Sequence, residues 1–135
     1  MSATTTSRIN IPDGSPWEDV VGYSRAVRVG DIIEVAGTTA MNGDKLVGEN
    51  DMFAQTVFIF KKIEKALNDA GASMTDVVRT RMFVTDITQW KAVGKAHAAV
   101  FATIKPAATM VEVSRLMETG LLIEIEVTAI LSHSI

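Results

Sequence analysis

The chain contains no cysteine. That excludes a disulfide framework, a thiolate metal site and a cysteine nucleophile, and it fits a cytoplasmic location. Histidine is almost as scarce: His97 and His133 stand 36 positions apart, far from any metal-ligand spacing, so no metal is expected. Positive charge is also short. Thirteen Lys and Arg face 16 Asp and Glu, for a net charge of -3, and aromatic residues make up 6%. A chain without a basic face is a poor binder of nucleic acid. No apolar run approaches the roughly 20 residues that span a bilayer, and residues 1–10 are polar, with no signal-peptide core. The expectation is a soluble, cytoplasmic protein with neither a membrane nor a nucleic-acid partner. The common catalytic signatures GxSxG, GxGxxG, HExxH and the P-loop are missing too.

What is present describes an ordinary folded chain. Its 135 residues are 47% apolar and 21% charged, which suits a single domain over residues 1–135 with a real core. Thr4, Thr5, Thr6 and Ser7 give a loose start or a first edge strand. Pro12, Gly14 and Pro16 mark a turn-rich loop. Residues 23–29 alternate, with Tyr23, Arg25 and Val27 on one side and Ser24, Ala26 and Arg28 on the other. Gly30-Asp31 then turns the chain into a buried strand at 32–36, which predicts a hairpin. Asn42-Gly43-Asp44 is a second turn signal.

Residues 51–70 read as a helix. Phe53, Val57, Phe60, Ile63 and Leu67 recur at spacings of 4, 3, 3 and 4, while Lys61, Lys62, Glu64 and Lys65 fall on the wet side. Asn50 or Asp51 can cap its start, and Gly71 sits where a left-handed residue ends it. A β-branched strand follows at 77–84. Asp86 with Gln89 matches a capping box before a second helix, which carries Trp90, Val93, His97, Val100, Phe101 and Ile104 on one face and stops at Pro106. Strands at 109–116 and 121–131, joined through Glu118-Thr119-Gly120, close the chain. The order β-β-β-α-β-α-β-β predicts an α+β fold, a six-stranded sheet with two helices on one face. The other face, rich in β-branched and charged residues, is expected to be buried in an oligomer.

Several residues invite chemistry, each with an alternative. His97 is either a core histidine with satisfied nitrogens or a pocket-facing acid or base. Arg79 and Arg81 share a face of one strand, Glu124 and Glu126 a face of the last, and Glu112 lies in the strand before it. They form a structural network, or else one carboxylate escapes pairing and works as an acid with its pKa raised by burial. Trp17 and Tyr23 line a pocket or pack an edge. Gly37, followed by Thr38 and Thr39, either lets a ligand approach bare backbone or simply ends a strand.

Taken together, Gly22-Tyr23-Ser24-Arg25-Ala26-Val27, Val35-Ala36-Gly37-Thr38-Thr39, Arg79-Thr80-Arg81-Met82-Phe83-Val84-Thr85-Asp86 and Pro106-Ala107-Ala108-Thr109-Met110-Val111-Glu112-Val113-Ser114-Arg115-Leu116, followed by Ile123-Glu124-Ile125-Glu126, resemble the Rid superfamily. This family is also called YjgF, or the reactive-intermediate deaminases, and the likeness runs from about residue 8 to the end. It implies a chorismate-mutase-like fold, a homotrimer with clefts between subunits, and hydrolysis of reactive enamines and imines without a metal or organic cofactor. In such sites an arginine forks onto the substrate carboxylate, and a glutamate positions water and moves protons. By position the glutamate is Glu124, the tyrosine Tyr23 and the strand-end glycine Gly37.

The departures carry as much information. The resemblance places the carboxylate-binding arginine two residues after Pro106, where this chain has Ala108. Met110 replaces a pocket cysteine, Gly94 an asparagine, and His97 stands where an aromatic residue is common. Arg25, on Tyr23's side of its strand, could substitute from another direction or be salt-bridged instead. Arg115 matches a family position outside the deaminase motif. The sequence therefore suggests a trimer that hydrolyses or deaminates a small metabolite lacking the usual α-carboxylate, with Glu124 and His97 as candidate catalytic groups. Tyr23, Gly37, Thr38, Ala108, Met110, Arg25 and Trp17 are candidates for binding. A noncatalytic ligand-binding or regulatory trimer is the alternative, and an endoribonuclease ranks lower.

Overall fold

The computed structural model describes residues 7–132. Thr4, Thr5, Thr6 and His133 lie outside them. The expected order holds: β1 (Arg8–Ile11), β2 (Ala26–Val29), β3 (Ile32–Thr38), α1 (Met52–Asp69), β6 (Val77–Val84), α2 (Trp90–Phe101), β7 (Ala107–Glu112) and β8 (Ile123–Ile130), with a small ribbon, β4 (Met41–Asn42) and β5 (Lys45–Leu46), at the Asn42-Gly43-Asp44 turn. Six strands form one mixed sheet in the order β1-β2-β3-β8-β6-β7. All neighbours are antiparallel except β6 and β7. Both long helices cover the same face of the sheet. No described helix is long and apolar enough to cross a membrane.

The period-2 pattern of the central strands decides which face is which. In β8, Ile123, Ile125, Val127 and Ala129 are buried toward the helices, while Glu124, Glu126 and Thr128 point to the open face. In β6, Thr80, Met82 and Val84 face the helices, and Arg79, Arg81 and Phe83 the open side. Ile33 and Val35 of β3 meet Ile59, Ile63 and Leu67 of α1 in the core. Each such side chain stabilises the fold by about 1.5–3 kcal/mol through burial.

Several expectations shift by a few residues for identifiable reasons. Asp51 caps α1, its carboxylate accepting from the Ala54 N–H at 2.9 Å. Gly71, at φ 87°, turns the chain away after the helix, while Arg28 Nη1 donates to the Ala70 carbonyl at 2.9 Å. The α1 core face is centred on Met52, Gln55, Ile59, Ile63 and Ala66, so Phe53 is left 37% exposed beneath the Lys95 ammonium. Asp86 caps a short 3-10 turn (Ile87–Gln89) by accepting from Thr88 N–H, and α2 begins only at Trp90, which is 53% exposed. Residues 18–22 wind into a π-helical turn, so β2 begins at Ala26 and not at Tyr23. The last two strands are not neighbours: β6 lies between them, and β7 ends at Glu112.

Gln55 ties these pieces together. Fully buried, it donates to the carbonyls of Gly48 and Gly120 at 3.1 and 3.0 Å and accepts from the Leu122 N–H at 2.9 Å. One side chain thus satisfies three backbone groups from two loops. Replacing Gln55 with Leu removes all three partners. Chemical denaturation is expected to show a loss of about 3 kcal/mol or more, since each buried group left unpaired costs about 1–3 kcal/mol.

A candidate active site around Glu124

The site begins with an irregularity in the sheet. Val35 pairs with Val127, but the next pair is Thr38 with Ile125, so β3 spends three residues where β8 spends two. That extra residue is a β-bulge, a device that re-aims backbone next to functional groups. It brings Gly37 against Glu124. A Cβ on Gly37 would overlap the Glu124 carboxylate oxygen Oε2 and stand 2.9 Å from its Cδ. Only glycine allows this approach. Thr38, buried, turns its hydroxyl back to donate to the Ala36 carbonyl at 2.8 Å.

Three charged groups surround this contact. Arg25, its side chain 11% exposed, donates from Nη2 to the Gly37 carbonyl at 2.6 Å and places Nη1 3.8 Å from Asp13. Its Nε is buried without a partner among the described residues. Lys62 of α1 is half-buried and donates to the carbonyls of Thr39 and Met41 at 2.8 and 2.9 Å. Asp13 accepts from the Ser15 N–H at 2.9 Å. Charge-assisted bonds of this kind are worth about 1.5–3 kcal/mol each.

The titration of these groups follows from their surroundings. Burial pushes the Glu124 carboxyl above its ordinary value. Arg25 pulls it back, and Glu126 on the same face adds to the rise. Burial lowers the Lys62 ammonium, Arg25 lowers it further, and Asp13 opposes both. Burial also works to raise Asp13, but hydrogen bonds from Ser15 and Glu18, with the charges of Arg25 and Lys62, outweigh it and hold that carboxyl low.

Beside this cluster the open face is hollowed into a recess of about 660 Å³, whose walls include Tyr23, Ser24, Ala36, Glu34, Arg81 and Glu126. Arg81 approaches Glu126 at 3.6 Å, and Thr128 donates to Glu34 at 2.5 Å. Tyr23 lines the recess, whereas Trp17 stands 62% exposed outside it, just before the π-helical turn.

Not every candidate gathers here. His97 lies on the opposite side of the sheet. Its Nε2 is 3.0 Å from the buried Thr80 hydroxyl, its ring packs on Phe60 and Phe101 at 5.8 and 4.7 Å between centroids, and burial lowers its pKa. In its own chain it packs on the helix side, as the first of the two alternatives has it, and does not reach Glu124. Ala108 and Met110 pair with Thr80 and Met82, so they too face the helix side, at the sheet's edge. Within one chain the structure groups Arg25, Gly37 and Glu124, with Thr38 following Gly37 in β3; Tyr23 lines the recess of the same open face, and Ala108 and Met110 lie apart.

Two participants went unnoticed in the sequence, Lys62 and Asp13. Lys62 is not on the wet side of α1. It shares the stripe of Gln55, Ile59 and Ala66, at spacings of 4, 3 and 4, and that periodicity was the available signal. Asp13 sits in an irregular loop, where no period points to it.

A raised carboxyl makes a signed prediction. The native state holds the Glu124 proton more tightly than the unfolded chain does, so stability falls as pH rises above the ordinary Glu value of 4.5. The Glu124→Gln variant escapes this loss. Its melting temperature is expected to exceed that of the parent by a few degrees at pH 7, with the gain vanishing near pH 4. Thermal melts across that range check it. Gly37→Ala is expected to displace the carboxylate toward solvent and so to bring the Glu124 titration, followed by NMR, back toward the ordinary carboxylate range.

Known proteins place this geometry in context. The family model described as Endoribonuclease L-PSP matches residues 16–131. An uncharacterised protein of Streptomyces coelicolor is 38% identical over 119 residues, 88% of this chain and 89% of its own. The 3-aminoacrylate deaminase RutC of Acinetobacter baylyi is 30% identical over 118 residues, 87% of this chain and 92% of its own. Among solved structures, a Mycobacterium tuberculosis member of the YjgF/YER057c/UK114 family superposes with a TM-score of 0.85 at 48% identity, covering 93% of this chain and all of that one (100%). With its six-stranded mixed sheet, two helices on one face and these relatives, the chain belongs to the YjgF/Rid family.

Proposed function

We propose that the protein hydrolyses imines or enamines of a small metabolite, releasing ammonia, with Glu124 as the working carboxyl. The observation that carries this reading is a carboxyl held above its ordinary value and packed against the bare Gly37 backbone. The deaminase named among its relatives supports the reaction class.

The chemistry is addition and proton transfer. The neutral Glu124 carboxyl gives its proton to the imine nitrogen, or to the β-carbon of an enamine, and leaves an iminium. The resulting carboxylate takes a proton from water as the water oxygen bonds to the iminium carbon. The same proton then passes to the amine of the carbinolamine; as the C–N bond breaks, the Glu124 carboxylate takes the hydroxyl proton, so a carbonyl compound and ammonia result and the neutral carboxyl is restored. A carboxyl whose pKa is raised by burial suits both directions of transfer. The Tyr23 phenol, on the wall of the recess beside Glu124, shapes the space around the substrate.

The substrate in this reading lacks an α-carboxylate. Ala108 offers no guanidinium, and Arg25 cannot fork onto a carboxylate while its Nη groups hold the Gly37 carbonyl and face Asp13. A buried substrate carboxylate with no cation beside it loses several kcal/mol of binding. Ala108 and Met110, on the far side of the sheet edge, complete the cleft from a neighbouring subunit of a homotrimer. The uncovered charged face and the unpaired edge of β7 support that assembly.

The family model's name also raises RNA cleavage. The open-face arginines Arg8, Arg79 and Arg81 alternate with Glu34, Glu124 and Glu126, which interrupts any basic track for a phosphate backbone. RNA therefore ranks second.

The test presents imines generated in place by an amine or amino-acid oxidase, with semicarbazide trapping whatever is not hydrolysed. Carboxylate-free imines are expected to disappear fastest, and Glu124→Gln to cut turnover by about 100-fold or more. Preference for the carboxylated set would refute the specificity. No turnover on either set, with ligand binding indifferent to Glu124→Gln, would replace the hydrolase by a noncatalytic ligand-binding protein. A monomeric mass in solution would remove the shared cleft.

A further inference from the structure

An extended chain points the carbonyls of alternate residues to one side. After the bulge, the carbonyls of Gly37, Thr39 and Met41 all turn toward cations: the first accepts from Arg25 at 2.6 Å, the other two from Lys62 at 2.8 and 2.9 Å. The intervening Ala40 carbonyl stays with the backbone, accepting from the Val47 N–H at 2.8 Å. The two cations come from different elements, one entering β2 and one from the middle of α1. They are close enough that Arg25 lowers the Lys62 pKa, and Asp13 balances both. Neutral donors would satisfy three carbonyls without this repulsion. What the cations add is a stiff, charge-assisted hold on the segment whose Gly37 packs against Glu124.

We propose that Lys62, together with Arg25, is a positioning residue for the Glu124 site: it grips the 37–41 segment by its carbonyls and so keeps the Gly37 peptide pressed against the Glu124 carboxyl. Lys62 touches no reacting atom. The idea rests on Glu124 being the working carboxyl. The groups that face Glu124 are Gly37 from β3, Phe83 from β6, Glu126 along its own strand and the Arg25 guanidinium, with Arg81 acting on Glu126. Of these, the Gly37 peptide is the one that Lys62 controls. Releasing it admits water to the carboxyl.

The experiment compares Lys62→Met with Lys62→Arg in the full chain. The Glu124 side-chain carboxyl and the Gly37 and Thr38 amides are followed by NMR through a pH titration, beside steady-state kinetics on an imine that the parent turns over. In Lys62→Met the two amides are expected to shift, and the Glu124 midpoint to fall toward the ordinary carboxylate range. A small misplacement of the site should lower kcat by about 10- to 100-fold. KM is expected to stay within about twofold, as for a residue that does not bind substrate. Lys62→Arg, which keeps both donors and charge, is expected to recover most of each change. A folded Lys62→Met with an unmoved Glu124 titration and unmoved amides overturns the proposal, as does an Arg variant no better than the Met one. If Lys62→Met does not fold, Lys62→Gln, with its shorter donor, is judged on the same readings. A parent without turnover would sink the hydrolase reading alone, because the titration and the amides still decide the role of Lys62.

Discussion

The contact between Gly37 and Glu124 constrains most of what surrounds it. A carboxylate oxygen occupies the place a Cβ would take, so the backbone of β3 itself forms one wall around that oxygen. The approach requires the bulge between Val35 and Thr38, and the bulge requires β3 and β8 to keep their register on both sides of it. The register is fixed in turn by the alternation of β8, where a slip of one residue would bury Glu124 and Glu126 and expose Ile123 and Ile125. Arg25 closes the loop of dependence. Its backbone carbonyl accepts from the Ala36 N–H at 3.0 Å, and its guanidinium takes the Gly37 carbonyl, so both sides of the bulge are tied to one residue.

The sheet also works as a partition. On the helix side, polar groups are few and satisfied locally: Gln55 by two loops, Thr56 by the Met52 carbonyl and Thr80 by His97. Burial makes the charged form of His97 costly there and lowers its pKa. On the open side, charges of both signs alternate across strands, with Arg81 opposite Glu126 and Thr128 bonded to Glu34. A face of this kind is too polar for a monomer's core, and this contrast between the two faces is the feature on which the proposed intersubunit cleft rests.

How much of this was legible in the sequence depended on periodicity. The strands of period 2, the α1 helix with its Asp51 cap and Gly71 exit, and the order of elements were all readable. The pairing of Glu124 with Gly37 could be anticipated only through family resemblance, since the two are 87 positions apart and meet at a bulge that no local pattern announces. Lys62 was misplaced because a lysine was assigned to water by type, although its spacing from Ile59 and Ala66 put it on the core stripe. The π-helical turn at 18–22 and the separation of β7 from β8 were hidden for a different reason. The turn is a local backbone winding with no periodic signature, and the separation of β7 from β8 is set by strand order, a tertiary choice.

The charge arrangement around Glu124 bears on the proposed specificity. Two cations, Arg25 and Lys62, hold the strand beside the carboxyl, and their donors point at backbone carbonyls and at Asp13. The charge of Arg25 moderates the pKa of Glu124 while its donors stay engaged. In the proposed reading a substrate carboxylate packed against Glu124 would meet a second carboxylate, Glu126, and an Arg25 fork already engaged with the Gly37 carbonyl and Asp13. A neutral imine meets no such penalty, and the iminium formed from it gains from the carboxylate it leaves behind. In the proposed reading, Ala108 offers no guanidinium and the engaged Arg25 and Lys62 stiffen the site from behind the strand, which together favour an uncharged substrate.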